Sequence, residues 1–260
     1  MLDPRTVAEN LTRQFSSTFG DELRSVVLYG SVARGEEIPG VSDVNLLVLL
    51  DGLAPKDLAR AAPLATSWVR SGNTPPLTLS WDEWARMRDT FAIEVADMID
   101  AREVVHGDDP LEGAAPIDHA DLRLHAEREL RQTMLQLRVR MLLSSSEPLE
   151  LGRLLLSGIP SFSSFMRVAL RLGGSAPASR TEEVIEEAAA LIGASAEPML
   201  TCQAARRSLR VPDVRIEDPL VLAYVDFAHD LQSFIDGFEP AGSDVRTTGL
   251  ASSALTEGSR

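Results

Sequence analysis

The sequence has a single cysteine, Cys202, among its 260 residues. One thiol cannot form an internal disulfide, and it cannot supply a cysteine-rich zinc site. Apolar runs of membrane-spanning length are also missing. The first residues, MLDPRTVAENLTRQF, are amphipathic and do not have the apolar core of a signal peptide. These absences predict a cytoplasmic protein with no membrane partner.

Basic residues are scarce relative to acidic ones. The chain has 25 Lys and Arg against 39 Asp and Glu, which gives a net charge of −14. Because such a chain repels a polyanionic backbone, binding to extended nucleic acid is not expected. The acidic balance is compatible with a small, cationic substrate and equally with plain solubility.

The pattern over residues 1–112 predicts a small unit of helices and strands. Apolar residues recur at four-residue spacing over residues 3–19 and predict a helix there. The runs RSVVLYG, DVNLLVLL and PPLTLS predict three strands, of which the second is apolar enough to be covered on both faces. The segment FAIEVADMIDAREVVHG is predicted to be extended, with Glu94 and Asp97 on opposite faces.

Local signals divide this unit further. Ser80 and Glu83 have the capping-box spacing that starts a short helix. Pro63 predicts a boundary or a kink in the helical segment around it. Residues 107–116, rich in Gly, Pro and Asp, are predicted to be a linker.

The remainder of the chain has helical spacing. It predicts a bundle over residues 113–240, with one helical stretch broken at residues 158–160, and a disordered tail over residues 241–260. The fold class is therefore α+β: a small mixed β-sheet domain over residues 1–112, followed by an all-α bundle.

The stretch GSVARGEEIPGVSDVNLLV carries the candidate chemistry. At Gly30 and Ser31 a strand ends in a turn whose backbone N–H groups and hydroxyl could receive a phosphate. Asp43 and Asn45 alternate on the next predicted strand and therefore share a face. Glu94 could join them, and carboxylates on one sheet face hold divalent metals for phosphoryl or nucleotidyl transfer.

This pattern resembles the signature of the nucleotidyltransferase superfamily of the DNA polymerase beta type, especially small bacterial members and aminoglycoside adenylyltransferases. Its matching residues are Gly30, Ser31, Arg34, Gly35, Ser42 and Asp43. The resemblance implies Mg²⁺-dependent transfer of a nucleoside monophosphate from a nucleoside triphosphate, with ATP as the expected donor, to a hydroxyl of a small molecule or protein.

The resemblance also implies a role for each matching residue. Gly30, Ser31, Arg34 and Ser42 would contact the nucleotide, Asp43 and Glu94 would be catalytic, and Asp43, Asn45 and Glu94 would hold metal. Arg34 could equally brace the loop, and Ser42 could close a turn. Asp97 competes with Glu94 for the place of the third acid.

Asn45 departs from the family pattern, in which a second aspartate stands there and the two aspartates hold two Mg²⁺ ions. An amide removes one negative charge, and Mg²⁺ prefers anionic oxygens, so we expect lower metal occupancy. Losing a metal could cost several kcal/mol of transition-state stabilisation, at about 1.4 kcal/mol per decade of rate. The alternative is therefore a non-catalytic nucleotide-binding or partner-binding member of the fold, including an antitoxin-like role.

The bundle adds fewer candidates. Glu127 and Glu129 lie on its first predicted helix, where either could act as a general base or belong to a solvated face. The four histidines lack metal-ligand spacing. The leucine-rich bundle is compatible with a homodimer.

Overall fold

The computed structural model describes residues 3–39 and 41–239; the predicted disordered tail lies outside these ranges. The strands of the described chain are β1 (Leu23–Tyr29), β2 (Asn45–Leu50), β3 (Leu77–Ser80) and β4 (Arg102–Gly107). They form one sheet in the order β3-β2-β1-β4, in which β1 is antiparallel to β2 and β4, and β2 is parallel to β3. The mixed sheet confirms the first part of the predicted fold class.

Helices surround this sheet and form the bundle that follows it. Those within the sheet domain are α1 (Pro4–Phe19), α2 (Ser31–Arg34), α3 (Pro55–Arg70), α4 (Trp81–Met87) and α5 (Ala92–Asp100). Those of the bundle are α6 (His119–Leu143), α7 (Pro148–Leu172), α8 (Thr181–Ile192), α9 (Glu197–Arg207) and α10 (Pro219–Gly237). Within residues 3–39 and 41–239, none of these helices has the length and apolar content needed to cross a membrane.

The two central strands are buried on both faces. Val26 and Val48 pack with α1 and α3 on one side of the sheet, whereas Val27 and Leu47 pack with α4 and α5 on the other. This arrangement confirms the expectation drawn from the continuous apolar run of β2, because a strand covered on both faces needs apolar residues at every position.

Helix α5 belongs to two apolar cores at once. Val95 and Met98 are fully buried under the sheet, while Ala92 and Ala96 are buried among the bundle helices. The extended structure predicted for this segment is wrong up to Asp100, since the strand begins only at Arg102. A short helix buried on two sides is apolar nearly throughout, and such a run has no clear period.

Two prolines lie inside helices and do not mark helix boundaries. Pro63 lies inside the continuous helix α3, and Pro160 lies inside the continuous helix α7, so the predicted break at residues 158–160 is wrong. An internal proline costs a helix about 3 kcal/mol. In α7, Ile159 and Phe162 are buried beside Pro160 and hold the helix through packing.

Two further local predictions concern the capping box and the linker of the sheet domain, and the first is confirmed. Helix α4 begins at the predicted capping box, in which the Ser80 backbone N–H donates to Glu83 Oε2 at 2.8 Å. The predicted linker over residues 107–116 is packed rather than free: Leu111 is buried, and Asp109 accepts a hydrogen bond from Arg102 at 2.8 Å.

Candidate active site

A cleft of about 340 Å³ lies between the sheet domain and the bundle. The turn between β1 and α2, the start of β2 and one face of α5 form its first wall, and α6, α7 and α9 form its second wall. The polar residues that line it include Ser31, Arg34, Asn45, Glu94, Asp97, Glu129, Thr133, Ser163, Gln203 and Arg206.

The glycine turn and Asn45 meet at the first wall. Gly30 has a φ of 80°, which favours glycine, and a Cβ atom there would lie 2.8 Å from Nδ2 of Asn45. Helix α2 begins at Ser31, directly after this turn, and Tyr29 pairs with Asn45 across the two strands. The structure therefore brings Gly30, Ser31 and Asn45 together, as the motif predicted.

Asp43 and Ser42 lie elsewhere. Strand β2 begins at Asn45, not at Asp43 as predicted. The exposed carboxylate of Asp43 accepts a hydrogen bond from the Thr74 hydroxyl at 2.9 Å. Ser42 Oγ accepts a hydrogen bond from the Ile38 N–H at 2.8 Å, which closes a turn, and both residues line a neighbouring surface cavity rather than the cleft. The turn role left open for Ser42 is the one that its contacts support.

Glu94 and Asp97 lie one turn apart on α5, and both line the cleft, because a helix brings residues at this spacing to one face. The opposite faces predicted from an extended strand are therefore wrong. Glu94 Oε2 is buried without a hydrogen-bond partner in the described chain, and burial raises the pKa of this carboxyl group. Asp97 Oδ1 instead accepts a hydrogen bond from Arg171 at 2.9 Å.

Several guanidinium groups surround this helix. Arg34 Nη1 is 3.9 Å from Asp97 Oδ2, and it has no hydrogen-bond partner among the described residues. Burial lowers the pKa of Arg167, on α7, to about 10, and its Nη2 donates to the Ser179 carbonyl oxygen at 2.9 Å. Burial also lowers the pKa of Arg206. The sequence did not single out Arg167 or Arg206, because only the tertiary fold brings α7 and α9 to the motif.

The two glutamates of α6 differ in their position relative to the cleft. Glu129 lines the cleft. Glu127 does not, and its carboxylate is paired with Arg123 and Arg131, each at 3.0 Å. His125 Nδ1 accepts a hydrogen bond from the Ile93 N–H at 3.4 Å, a contact that joins α6 to the start of α5.

The acidic residues do not fit the two-ion site that the resemblance implies. Among the residues that the structure describes, no group of three or more His, Cys, Asp or Glu side chains could hold a metal ion. Asp43 is bonded to Thr74 outside the cleft, and Asp97 is paired with Arg171. Of the three predicted metal ligands, Glu94 alone offers an unpaired carboxylate to the cleft, beside the neutral Asn45.

Comparisons with known proteins agree with this architecture. Residues 9–104 match the family model described as the nucleotidyltransferase domain. The fold is similar to that of the spectinomycin adenyltransferase AAD(9) from Enterococcus faecialis, solved with ATP and spectinomycin, with a TM-score of 0.58 and 11% sequence identity. This similarity covers 88% of the present chain and 99% of the other. A search of curated proteins found no significant match.

Residues 9–104 therefore form a nucleotidyltransferase domain, which confirms the resemblance drawn from the motif. It is the domain of a transferase enzyme. The helices that follow it adopt the arrangement seen in an adenylyltransferase, so the fold extends the similarity well beyond the matched segment.

Proposed function

We propose that this protein transfers a nucleoside monophosphate group from a nucleoside triphosphate to a hydroxyl group of a small molecule. The observation that carries the proposal is the cleft, in which the Gly30–Ser31 turn of a nucleotidyltransferase domain shares one wall with Glu94 and faces the bundle wall. ATP as donor and a small molecule as acceptor are supported by the related fold solved with ATP and spectinomycin.

In this proposal Glu94 is the general base. Its carboxylate takes the proton of the acceptor hydroxyl, the hydroxyl oxygen attacks the α-phosphorus, and pyrophosphate leaves. Burial suits Glu94 to this role because a raised pKa brings a carboxylate closer to the working pH, where general bases are most effective. The N–H groups at the turn that starts with Gly30 and Ser31 would receive phosphate oxygens.

The bundle wall would hold the acceptor. Glu129 contributes a carboxylate there, and Thr133, Ser163 and Gln203 contribute hydroxyl and amide groups. This combination suits a polyhydroxylated acceptor with cationic groups. Mg²⁺ dependence of turnover, a cytoplasmic location and a homodimer stay predictions.

A second function is a non-catalytic one, in which the cleft binds a nucleotide without transferring it. Asn45 and the contact between Asp43 and Thr74 favour this alternative, because both remove carboxylates from the predicted metal site. Measuring turnover separates the two functions.

The test is acceptor-dependent pyrophosphate release from ATP in the presence of Mg²⁺, with spectinomycin as the first acceptor. We expect release by the native protein, and a loss of about 10²-fold or more in kcat for Glu94→Gln, the usual size of a general-base contribution. Glu127→Gln is the matched control, since Glu127 is paired outside the cleft and the variant should keep native activity.

Other outcomes have clear meanings. If Glu94→Gln keeps the native kcat, Glu94 is not the base. If the native protein binds ATP but releases no pyrophosphate with any acceptor, whereas Asn45→Asp does, the non-catalytic alternative holds for the natural chain.

A further inference from the structure

Helices α5 and α7 meet in a cluster of charged side chains. Arg167 and Arg171 lie one turn apart on α7, where they approach Asp97 and Asp100 of α5 and Arg34 of α2. The two aspartates both pair with Arg171. Glu94, one turn before Asp97 on α5, adds a third carboxylate, so the three guanidinium groups are balanced in number. Arg34 is the less closely paired of the two arginines that approach Asp97, since its Nη1 is 3.9 Å from Asp97 whereas Arg171 is 2.9 Å from it.

Arg34 is the member of this cluster with an unused donor. Its side chain is only 12% exposed, and its Nη1 lacks a hydrogen-bond partner among the described residues. A buried donor without a hydrogen bond is costly, and a phosphate oxygen would satisfy it. Since Arg34 also lines the cleft, a bound anion there would reach it directly.

Arg206 adds a second cation on the opposite wall. It lines the cleft from α9, and its guanidinium forms no ion pair within 4.0 Å in the described part of the chain. Its neighbour Arg207 does not line the cleft and lies 3.4 Å from Glu182 and 3.9 Å from Glu36. Arg206 thus lines the cleft without a close ion pair, with Asp43 as the carboxylate that acts on its charge, whereas Arg207 is held by Glu182 and Glu36.

From this arrangement we infer that the cleft holds the triphosphate of its nucleotide through Arg34 and Arg206, so that nucleotide binding does not require a divalent ion. The arginine pair would supply the positive charge that divalent ions bring where carboxylates hold them. The forked donors of arginine also match the geometry of phosphate oxygens. The inference rests on the proposed function in one respect, namely that the cleft takes a nucleoside triphosphate.

The test is the affinity of the full chain for α,β-methylene ATP, whose non-cleavable bridge prevents transfer. Isothermal titration is carried out once in EDTA and once with excess MgCl₂. We expect dissociation constants within about threefold of each other, and weakening of about tenfold or more for Arg206→Gln, the usual size of a charge-assisted contact. Arg207→Gln is the matched control and should stay close to native.

Arg34 needs a second variant because removing its charge could disturb folding around Asp97. Arg34→Lys keeps the charge without the forked donors, and we expect partial retention of the affinity that Arg34→Gln loses. Asn45→Asp should convert the site to Mg²⁺-dependent binding, with weaker affinity in EDTA because a new carboxylate faces the phosphates.

The inference is overturned if the native protein binds the analogue only with Mg²⁺, or if Arg206→Gln and Arg207→Gln bind equally well. Mg²⁺-dependent binding together with pyrophosphate release would overturn it while leaving the proposed function intact. Binding in EDTA without release under any condition would support it and contradict the proposed function.

Discussion

Glu94 faces the cleft from α5 with one carboxylate oxygen buried and unpartnered in the described chain. Burial raises its pKa, so the folded protein holds this proton to a higher pH than the unfolded chain does. Glu94 therefore does not reduce stability at acidic pH, where both states are protonated. It reduces stability progressively as the pH rises through its folded pKa.

We accordingly expect Glu94→Gln to be more heat-stable than the native protein at neutral pH, with an advantage that shrinks as the pH falls toward about 5. Thermal unfolding monitored by circular dichroism over pH 5 to 8 measures this difference. Glu127→Gln should show no such gain. A difference in melting temperature that does not change with pH would contradict the burial effect.

At the scale of single residues, the sequence motif predicted some of the residues that line the cleft. The structure brings Gly30, Ser31, Arg34 and Asn45 to the cleft because they lie within or beside one tight turn and its neighbouring strand. Local spacing could not reveal Arg206, which is distant in sequence. Asp97 was predicted to lie on the opposite face from Glu94, which would hold for a strand, whereas this segment forms helix α5.

Contacts between α5 and α7 depend on Asp97. Arg34 and Arg171 are each 12% exposed and both approach this carboxylate, whereas Asp100 is 35% exposed and pairs with Arg171 alone. Removing one partner of a buried ion pair leaves the other charge uncompensated. We expect Asp97→Asn to lower the free energy of unfolding by about 3–5 kcal/mol.

Asp100→Asn is the comparison variant, and a loss of about 1 kcal/mol or less is expected for a pair of this exposure. Urea denaturation of both variants measures the difference. Equal losses for the two would mean that Asp97 has no special part in joining the helices.

Elements with local signals were predictable, and elements set by tertiary packing were not. The capping box at Ser80 gave the start of α4 correctly. Helix α9 was missed, although Pro198 in its first turn is a start signal. Helix α7 continues through Pro160 because neighbouring residues of the helix are buried. A prediction from helix-breaking residues alone does not include this packing.

On the scale of the whole molecule, the division at residue 112 stays a prediction, although the apolar clusters suggest what a cut there would do. Ala92 and Ala96 of α5, together with Ile93, are buried against the bundle. A fragment of residues 1–112 would expose them. We expect this fragment to bind the dye ANS and to lose the cooperative unfolding of the full chain.

Chemical denaturation and ANS binding, measured for the fragment and for the full chain, test this expectation. A fragment that unfolds cooperatively without binding dye would show that the sheet domain is independent of the bundle. That outcome would also place the structural boundary close to the end of the matched nucleotidyltransferase segment, at residue 104.

The double burial of α5 has a consequence for how such a protein could change. The helix that presents Glu94 is held by Val95 and Met98 on the sheet side and by Ala92 and Ala96 on the bundle side. Substitutions that reshape the bundle for a different acceptor would press on this helix and move the proposed base. Acceptor specificity and turnover rate would then evolve together. A variant selected for a new acceptor would first have a lower turnover rate, which later substitutions on the sheet side of α5 would restore.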